Sequence, residues 1–211
     1  MGGDMKVMII TGNPKSSGAL AALTEEAARG AAEAGAEVEF IRLAEKDINC
    51  CRFCLTCVED TDPQIGECVQ KDDMGEILRK IVDADGYIMA CPMSGGRENA
   101  YMKIFEERCV MALCRPTKRI MHVTGIPESR IADKQRYAVT ITTAGVIPNH
   151  MRVFFNGSIK EMSSIAGEIF NAEMVGSLFA GRLFYRGLSK REKRKAYKLG
   201  KNLAQSIRAG G

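Results

Sequence analysis

Val7-Met8-Ile9-Ile10-Thr11-Gly12-Asn13-Pro14-Lys15-Ser16-Ser17-Gly18 passes from a short continuous apolar run into a stretch of turn formers. Four consecutive apolar residues bounded in this way read as a strand buried on both faces. The helix after it is equally legible. Ala19 to Ala34 is Ala-rich with Leu20, Leu23, Ala27 and Ala31 at helical spacing, and Gly35 stands where a left-handed C-terminal cap is wanted. A Gly- and Ser-rich turn between a strand and a helix start is a potential anion site, because unpaired N–H groups point outward there and the helix dipole favours negative charge. Lys15, Ser16 and Ser17 can add side-chain donors. The spacing matches neither a Walker loop nor the dinucleotide glycine fingerprint, so the loop alone is equally well a plain connection.

Outward from that unit, strand and helix patterns alternate. Glu37-Val38-Glu39-Phe40 alternates charged and apolar residues, which marks a strand with one wet face at a sheet edge. Asp72 or Asp73 caps a helix whose apolar face is Met74, Ile77, Leu78 and Ile81. Tyr87 to Cys91 is a third strand, Pro92 to Arg97 a loop, and Glu98 to about Leu113 a helix with Met102, Phe105, Cys109 and Leu113 facing inward. Residues 115–135 read as an irregular insertion, with Ile120 to Val123 a candidate short strand. Tyr137 to Thr142 and Met174 to Phe179 are the fourth and fifth strands, separated by a mainly helical stretch from Met151 to Phe170. Ser189 and Glu192 form a capping-box pair before a last helix that packs with Ala196, Leu199, Leu203 and Ile207. Five strands alternating with helices imply a doubly wound parallel sheet, and strand two at an edge implies the flavodoxin-like order 2-1-3-4-5. Ligands of such sheets sit beyond the carboxyl ends of the strands, at the switch in strand order. Attention therefore falls on residues 12–18, 92–97 and 143–149.

The 211 residues suit a single α/β domain spanning 1–211, and 45% hydrophobic residues without Trp imply an aliphatic core. A net charge of +4 is too mild for nucleic-acid binding. The excess is local: Arg186 to Arg208 carries nine Lys or Arg against one acid, Glu192. That helix reads first as a solvated surface, and second as an attractor for an acidic partner such as ferredoxin. No apolar run near the start is long enough for an export signal or a membrane span, so a cytoplasmic protein is expected.

Five of the eight cysteines crowd between Cys50 and Cys68. Without an export signal this crowding reads as metal or redox chemistry rather than as a disulfide scaffold. Cys51, Cys54 and Cys57 form a C-x2-C-x2-C run, and Cys68 is the natural fourth ligand in a loop over about 48–71. Three close cysteines and one distant one are a ligand pattern for a [4Fe–4S] cluster. Structural zinc and metal-free redox thiols are the alternatives, and Cys50 is a bystander. Cys91, Cys109 and Cys114 read as small buried hydrophobes. His122 and His150 are isolated, and Arg97 either reaches an anionic cofactor or opens the following helix. No catalytic triad or paired-carboxylate motif stands out, so no catalytic side chain is expected.

Together these residues resemble the NADPH-dependent FMN reductase family, and within it the iron–sulfur flavoproteins. Gly12-Asn13-Pro14-Lys15 is similar to that family's first loop. Cys51, Cys54, Cys57 and Cys68 followed by Asp72-Asp73-Met74 resemble its Cys-rich segment and the helix after it. Ala84-Asp85-Gly86, Pro92, Ala100, Met102-Lys103, Phe105 and Arg108 resemble its third strand and next helix. The resemblance implies FMN held by Asn13, Pro14, Lys15, Ser16, Ser17 and Gly18, flanked by Pro92, Met93, Ser94, Gly95 and Gly96 and by Thr143, Ala144 and Gly145. It also implies a cluster on the four cysteines, NAD(P)H or ferredoxin as electron donor, and a homo-oligomer. Gly18-Ala19-Leu20 and Met93-Ser94 depart from the family's usual Ser-Asn-Thr and Val-Tyr. Two other readings follow: a cluster-free NAD(P)H-dependent flavin or quinone reductase, and a flavin-less metal-binding or redox-sensing module.

Overall fold

The computed structural model describes residues 5–59, 61–116 and 128–210. Its elements in chain order are β1 (Met5–Thr11), α1 (Ala19–Glu33), β2 (Ala36–Arg42), a short α2 (Thr56–Glu59), α3 (Met74–Asp83), β3 (Gly86–Pro92) and α4 (Ala100–Leu113). Then come β4 (Cys114–Arg115), β5 (Glu128–Ser129), β6 (Arg136–Thr143), α5 (Gly157–Ser164), β7 (Ala172–Ala180), α6 (Leu183–Arg186) and α7 (Lys190–Gly210). The main sheet is parallel, in the order β2-β1-β3-β6-β7. This is the flavodoxin-like order expected, with the two-residue antiparallel ribbon β4–β5 interposed in the count.

The period-2 geometry of a strand sorts the sheet into two cores. Val7 and Ile9 of β1 face α1 and α7 with Leu23, Ala27, Val139 and Leu203, whereas Met8 and Ile10 face α3, α4 and α5 with Ile77, Phe105 and Met162. Both sets are buried, which is why the β1 run is continuously apolar rather than alternating. β2 lies at the edge and exposes Glu37 and Glu39. Among the described residues no helix is long and apolar enough to cross a membrane.

Several boundaries differ from expectation for local reasons. α4 begins at Ala100 rather than Glu98, because Asn99 is its N-cap and its side-chain oxygen accepts the Met102 N–H at 3.3 Å. Arg97 does not open that helix; it pairs with Glu161 of α5. Before α3 the two aspartates divide the work. Asp72 accepts the Met74 N–H at 3.1 Å, and Asp73 accepts the Asp47 N–H at 3.0 Å. The stretch 149–169 is helical in three pieces, a 3-10 turn at Asn149–Val153, α5, and a π turn at Ile165–Ile169. The segment read as an irregular insertion is ordered where described, as β4, β5 and a buried Arg130. Ile120 to Val123 and His122 lie outside the described residues. The Ser189–Glu192 capping box is present: the Ser189 N–H donates to Glu192 Oε2 at 3.1 Å and the Glu192 N–H to Ser189 Oγ at 3.2 Å.

Candidate functional site

Parallel pairing places the loops after β1, β2, β3 and β6 at one edge of the sheet, the carboxyl-end edge where such folds bind ligands. Two structures stand there.

The first is the cysteine loop. Cys51, Cys54, Cys57 and Cys68 all line one small, largely apolar pocket walled by Leu55, Leu78, Met111 and Ala112. Exposed Cys50 is outside that wall. The loop folds back on itself through left-handed conformations at Phe53 (φ 51°) and Leu55 (φ 65°), on either side of Cys54. Bulky residues rarely hold such angles, and each costs about 1–3 kcal/mol, a kind of strain that clusters at functional sites. The Phe53 N–H also donates to Cys51 Sγ at 3.4 Å.

Two buried arginines fasten the loop. Arg108 of α4 grips both oxygens of Asp72, with Nη1 at 2.6 Å from Oδ2 and Nη2 at 3.1 Å from Oδ1. It also donates to the Asn49 carbonyl at 2.8 Å and to Cys68 Sγ at 3.5 Å. Burial alone would pull this guanidinium down, but Asp72, followed by charge on Cys68 and Cys51, raises it instead. Burial would likewise push the Asp72 carboxyl up; Arg108 and the Asn49 and Met74 N–H groups more than offset that. Arg130 donates to the carbonyls of Cys114 (2.9 Å), Pro63 (2.9 Å) and Cys57 (3.1 Å). Gly66 completes the closure. Its N–H bonds the Ala112 carbonyl at 2.8 Å, and a Cβ there would stand 2.0 Å from the Cys57 carbonyl oxygen.

The sulfurs sense one another. Burial first, then charge on Cys68, Cys51 and Cys54, pushes the Cys57 thiol up, while the N–H and hydroxyl of Thr56 hold Cys54 below its ordinary value. Four thiolates at one pocket are an unfavourable arrangement that a bound cation reverses, since a coordinating thiol is deprotonated outright. The donor set, pocket and N–H···S contact therefore fit a thiolate-bound metal centre.

The second structure is the group of loops after β1, β3 and β6. Residues 14–18 are exposed and lead directly into α1, whose first-turn N–H groups have no intrahelical partner. The Asn13 side chain organises the turn by accepting the Lys15 N–H at 3.3 Å. Asn99 crosses from α4 and donates to the Gly12 carbonyl at 2.6 Å. In the β3 loop, Ser94 and Arg97 exchange both backbone hydrogen bonds around Gly95 (φ 58°) and Gly96 (φ 88°). Two successive positive φ values explain the paired glycines. The third loop is shorter than expected. Thr143 ends β6, and the Ala144 N–H is committed to the Ala180 carbonyl at 2.8 Å, leaving Gly145 beneath the Phe184 ring. The start of α1 offers N–H groups without intrahelical partners, and the open Gly95-Gly96 turn allows close backbone approach, which together suit an anionic, planar ligand such as FMN.

Cys91 is buried and committed to Asn99, whose N–H reaches its sulfur at 3.3 Å, and burial pushes its thiol up to about 12. Cys109 and Cys114 are also buried. His150 is exposed. Sequence reasoning missed the fastening roles of Arg108, Arg130 and Gly66. One signal was available for Arg108, which falls on the inward stripe of α4 with Phe105, Cys109 and Ala112.

The sequence matches the NADPH-dependent FMN reductase family over residues 5–145. It is 40% identical over 104 residues to an iron-sulfur flavoprotein of Methanocaldococcus jannaschii, covering 49% of this chain and 51% of that protein. It is 35% identical over 113 residues to an iron-sulfur flavoprotein of Archaeoglobus fulgidus, covering 54% and 49%. The chain thus spans about half the length of the curated relatives it matches. Among solved structures it resembles a flavone reductase (TM-score 0.68, 20% identity, 97% of this chain and 63% of that one). It also resembles an NAD(P)H:quinone oxidoreductase from Methanothermobacter marburgensis (TM-score 0.66, 17% identity, 95% and 100%). At these identities the likeness shows the fold.

Proposed function

The chain belongs to the NADPH-dependent FMN reductase family, and from that premise we propose that it is an FMN-dependent electron-transfer oxidoreductase carrying a [4Fe–4S] cluster on Cys51, Cys54, Cys57 and Cys68. The observation that carries the reading is the convergence of those four cysteines on one pocket at the ligand-binding edge of the sheet. The relatives named iron-sulfur flavoprotein support it. When bound, FMN supplies two-electron storage with one-electron release, and a cluster supplies single-electron transfer.

The protein's part is position and electrostatics. The N–H groups at the start of α1, with Ser16, Ser17 and Lys15, bind the phosphate. Residues 92–96 and Gly145 flank the ring, and electrons arrive from NAD(P)H or a ferredoxin. Helix α4 joins the two sites: Asn99 at its start holds Gly12, and Arg108 holds the cysteine loop. Nine residues at 1.5 Å each separate those anchors by about 13 Å along the axis.

The test is anaerobic purification with an absorption spectrum and assays of iron, sulfide and flavin on one sample. Flavin with about four irons per chain is the expected result. Flavin without iron leaves a simple reductase, and metal without flavin leaves a binding or sensing module. Cys54→Ser is expected to abolish cluster assembly with flavin still bound, and unchanged iron in that variant refutes the ligand assignment.

A further inference from the structure

Helix α4 carries an anomaly that neither site explains. Glu106 lies on its inward stripe, one turn after Met102, and is 1% exposed. Neither of its carboxylate oxygens has a hydrogen-bond partner among the described residues, and the same holds for Glu98 Oε2. One oxygen each from Glu98, Glu106 and Glu161 lie within 4.8 Å of one another. Sequence reasoning saw no paired carboxylates because Glu161 comes from α5, 55 positions beyond Glu106.

Buried carboxylates without donors are costly and call for a counter-ion or a proton. The cations nearby do not supply the missing bonds. Lys103 Nζ stands 3.8 Å from Glu98 and 4.0 Å from Glu106, beyond hydrogen-bonding range. Arg97 pairs with Glu161 from the solvent side and is itself largely exposed. Burial, with the charge of Glu98 second, pushes the Glu106 carboxyl up to about 8. Ligand oxygens about 2.3–2.6 Å from a central ion can be up to about 5 Å apart, so the observed spacing suits a larger hard cation without rearrangement. Glu161 is about a third exposed and forms the mouth, with Glu106 as the floor.

We propose that Glu98, Glu106 and Glu161 bind a single hard divalent cation of the Ca2+ or Mn2+ class, with water completing its shell. The cation would tie the segment just after the β3 loop to α5, two parts of the chain that also approach each other at Gly96 and Gly157. A Cβ on Gly157, the first residue of α5, would stand 2.6 Å from the Gly96 carbonyl oxygen. The site uses no cysteine, and all-oxygen donors select hard ions over the thiophilic metals suited to the cysteine pocket.

The test is titration of the chelator-treated full chain with CaCl2 by calorimetry and with MnCl2 by electron paramagnetic resonance, with thermal unfolding followed in parallel. One cation per chain and a higher unfolding temperature with Ca2+ are expected. Glu106→Gln is expected to weaken binding at least tenfold. Glu106→Leu, which removes the buried charge, is expected to abolish both binding and the Ca2+ response while the protein stays folded. Cys54→Ser is expected to bind Ca2+ as the parent does. No saturable uptake of either ion up to the order of a millimolar, the weak end of natural Ca2+ sites, overturns the proposal in favour of a shared proton. Uptake unchanged in Glu106→Gln overturns it as well.

Discussion

The cysteine loop after β2 and the loops after β1, β3 and β6 occupy the same edge of the sheet but are held by different means. The cysteine loop hangs on long side chains from distant parts of the chain. Arg108 reaches Asp72 and Cys68, and Arg130 reaches the carbonyls of Pro63 and Cys57. The loops after β1, β3 and β6 are held by strand ends, by a two-glycine turn at Gly95-Gly96 and by two short amide side chains, Asn13 and Asn99. A thiolate pocket needs its sulfurs fixed from behind by something other than the metal, whereas an anion site needs its N–H groups left unpaired. The difference in scaffolding suits the two chemistries proposed for these sites.

The largest effect is expected from Arg108→Met. It leaves the Asp72 carboxylate buried with no cation, a loss of about 3–5 kcal/mol in folding stability. Denaturant titration would show a lower midpoint, and iron would fall with it. The double variant Arg108→Met, Asp72→Leu removes the orphaned charge and is expected to recover much of the stability but none of the lost loop order. If the single variant unfolds like the parent, Arg108 is not the fastening point. Gly66→Ala loosens the same loop without touching charge. Its Cβ would press on the Cys57 carbonyl oxygen at 2.0 Å, which overpacking puts at about 1–3 kcal/mol. Iron per chain should drop while flavin content holds.

What the sequence disclosed divides along the same line. The five main strands, the edge position of β2 and the capping box at Ser189 are local patterns, readable because their causes lie within a few residues. The Cys51, Cys54 and Cys57 run was visible for the same reason. Arg108 meets Asp72 across 36 positions and Arg130 meets Cys57 across 73, and no spacing rule connects such pairs. Glu106 was hidden differently. It sits on a stripe whose apolar members Met102, Phe105 and Cys109 dominate the pattern, so one buried acid left the helix assignment unchanged while altering its chemistry. Thr143 was read into a loop because composition does not say where strand pairing stops.

On the nucleotide side, effects are expected to be smaller and confined to binding. Ser17→Asp puts a negative charge at the start of α1, where the helix dipole favours a phosphate. Repulsion of about 1 kcal/mol corresponds to roughly fivefold weaker FMN binding in a fluorescence titration, with iron content unaltered. Unchanged affinity would place the phosphate elsewhere.

The smallest effect concerns another Arg–carboxylate pair in which both oxygens are held, as in Arg108–Asp72. Arg186 holds both oxygens of Glu192, at 2.6 and 2.9 Å, and donates to the Gly181 carbonyl at 2.6 Å, so it ties α7 to the end of β7. The two pairs differ in setting: Arg186 is 34% exposed over a Glu192 at 8%, whereas Arg108 and Asp72 are 3% and 0% exposed. Solvent screening therefore limits Glu192→Gln to a loss under about 1 kcal/mol at neutral pH. Its signature is the pH dependence. Burial would raise the Glu192 carboxyl, but Arg186 and Ser189 hold it down at about 2, against about 4.3 in an unfolded chain. The contribution is fully present above the unfolded value and is lost as pH falls through the folded one. Unfolding midpoints of parent and Glu192→Gln should thus differ at pH 6 and converge as pH falls from about 4.3 towards 2. A gap that persists unchanged into acid would mean that the carboxylate's shape, not its charge, holds α7 to the sheet.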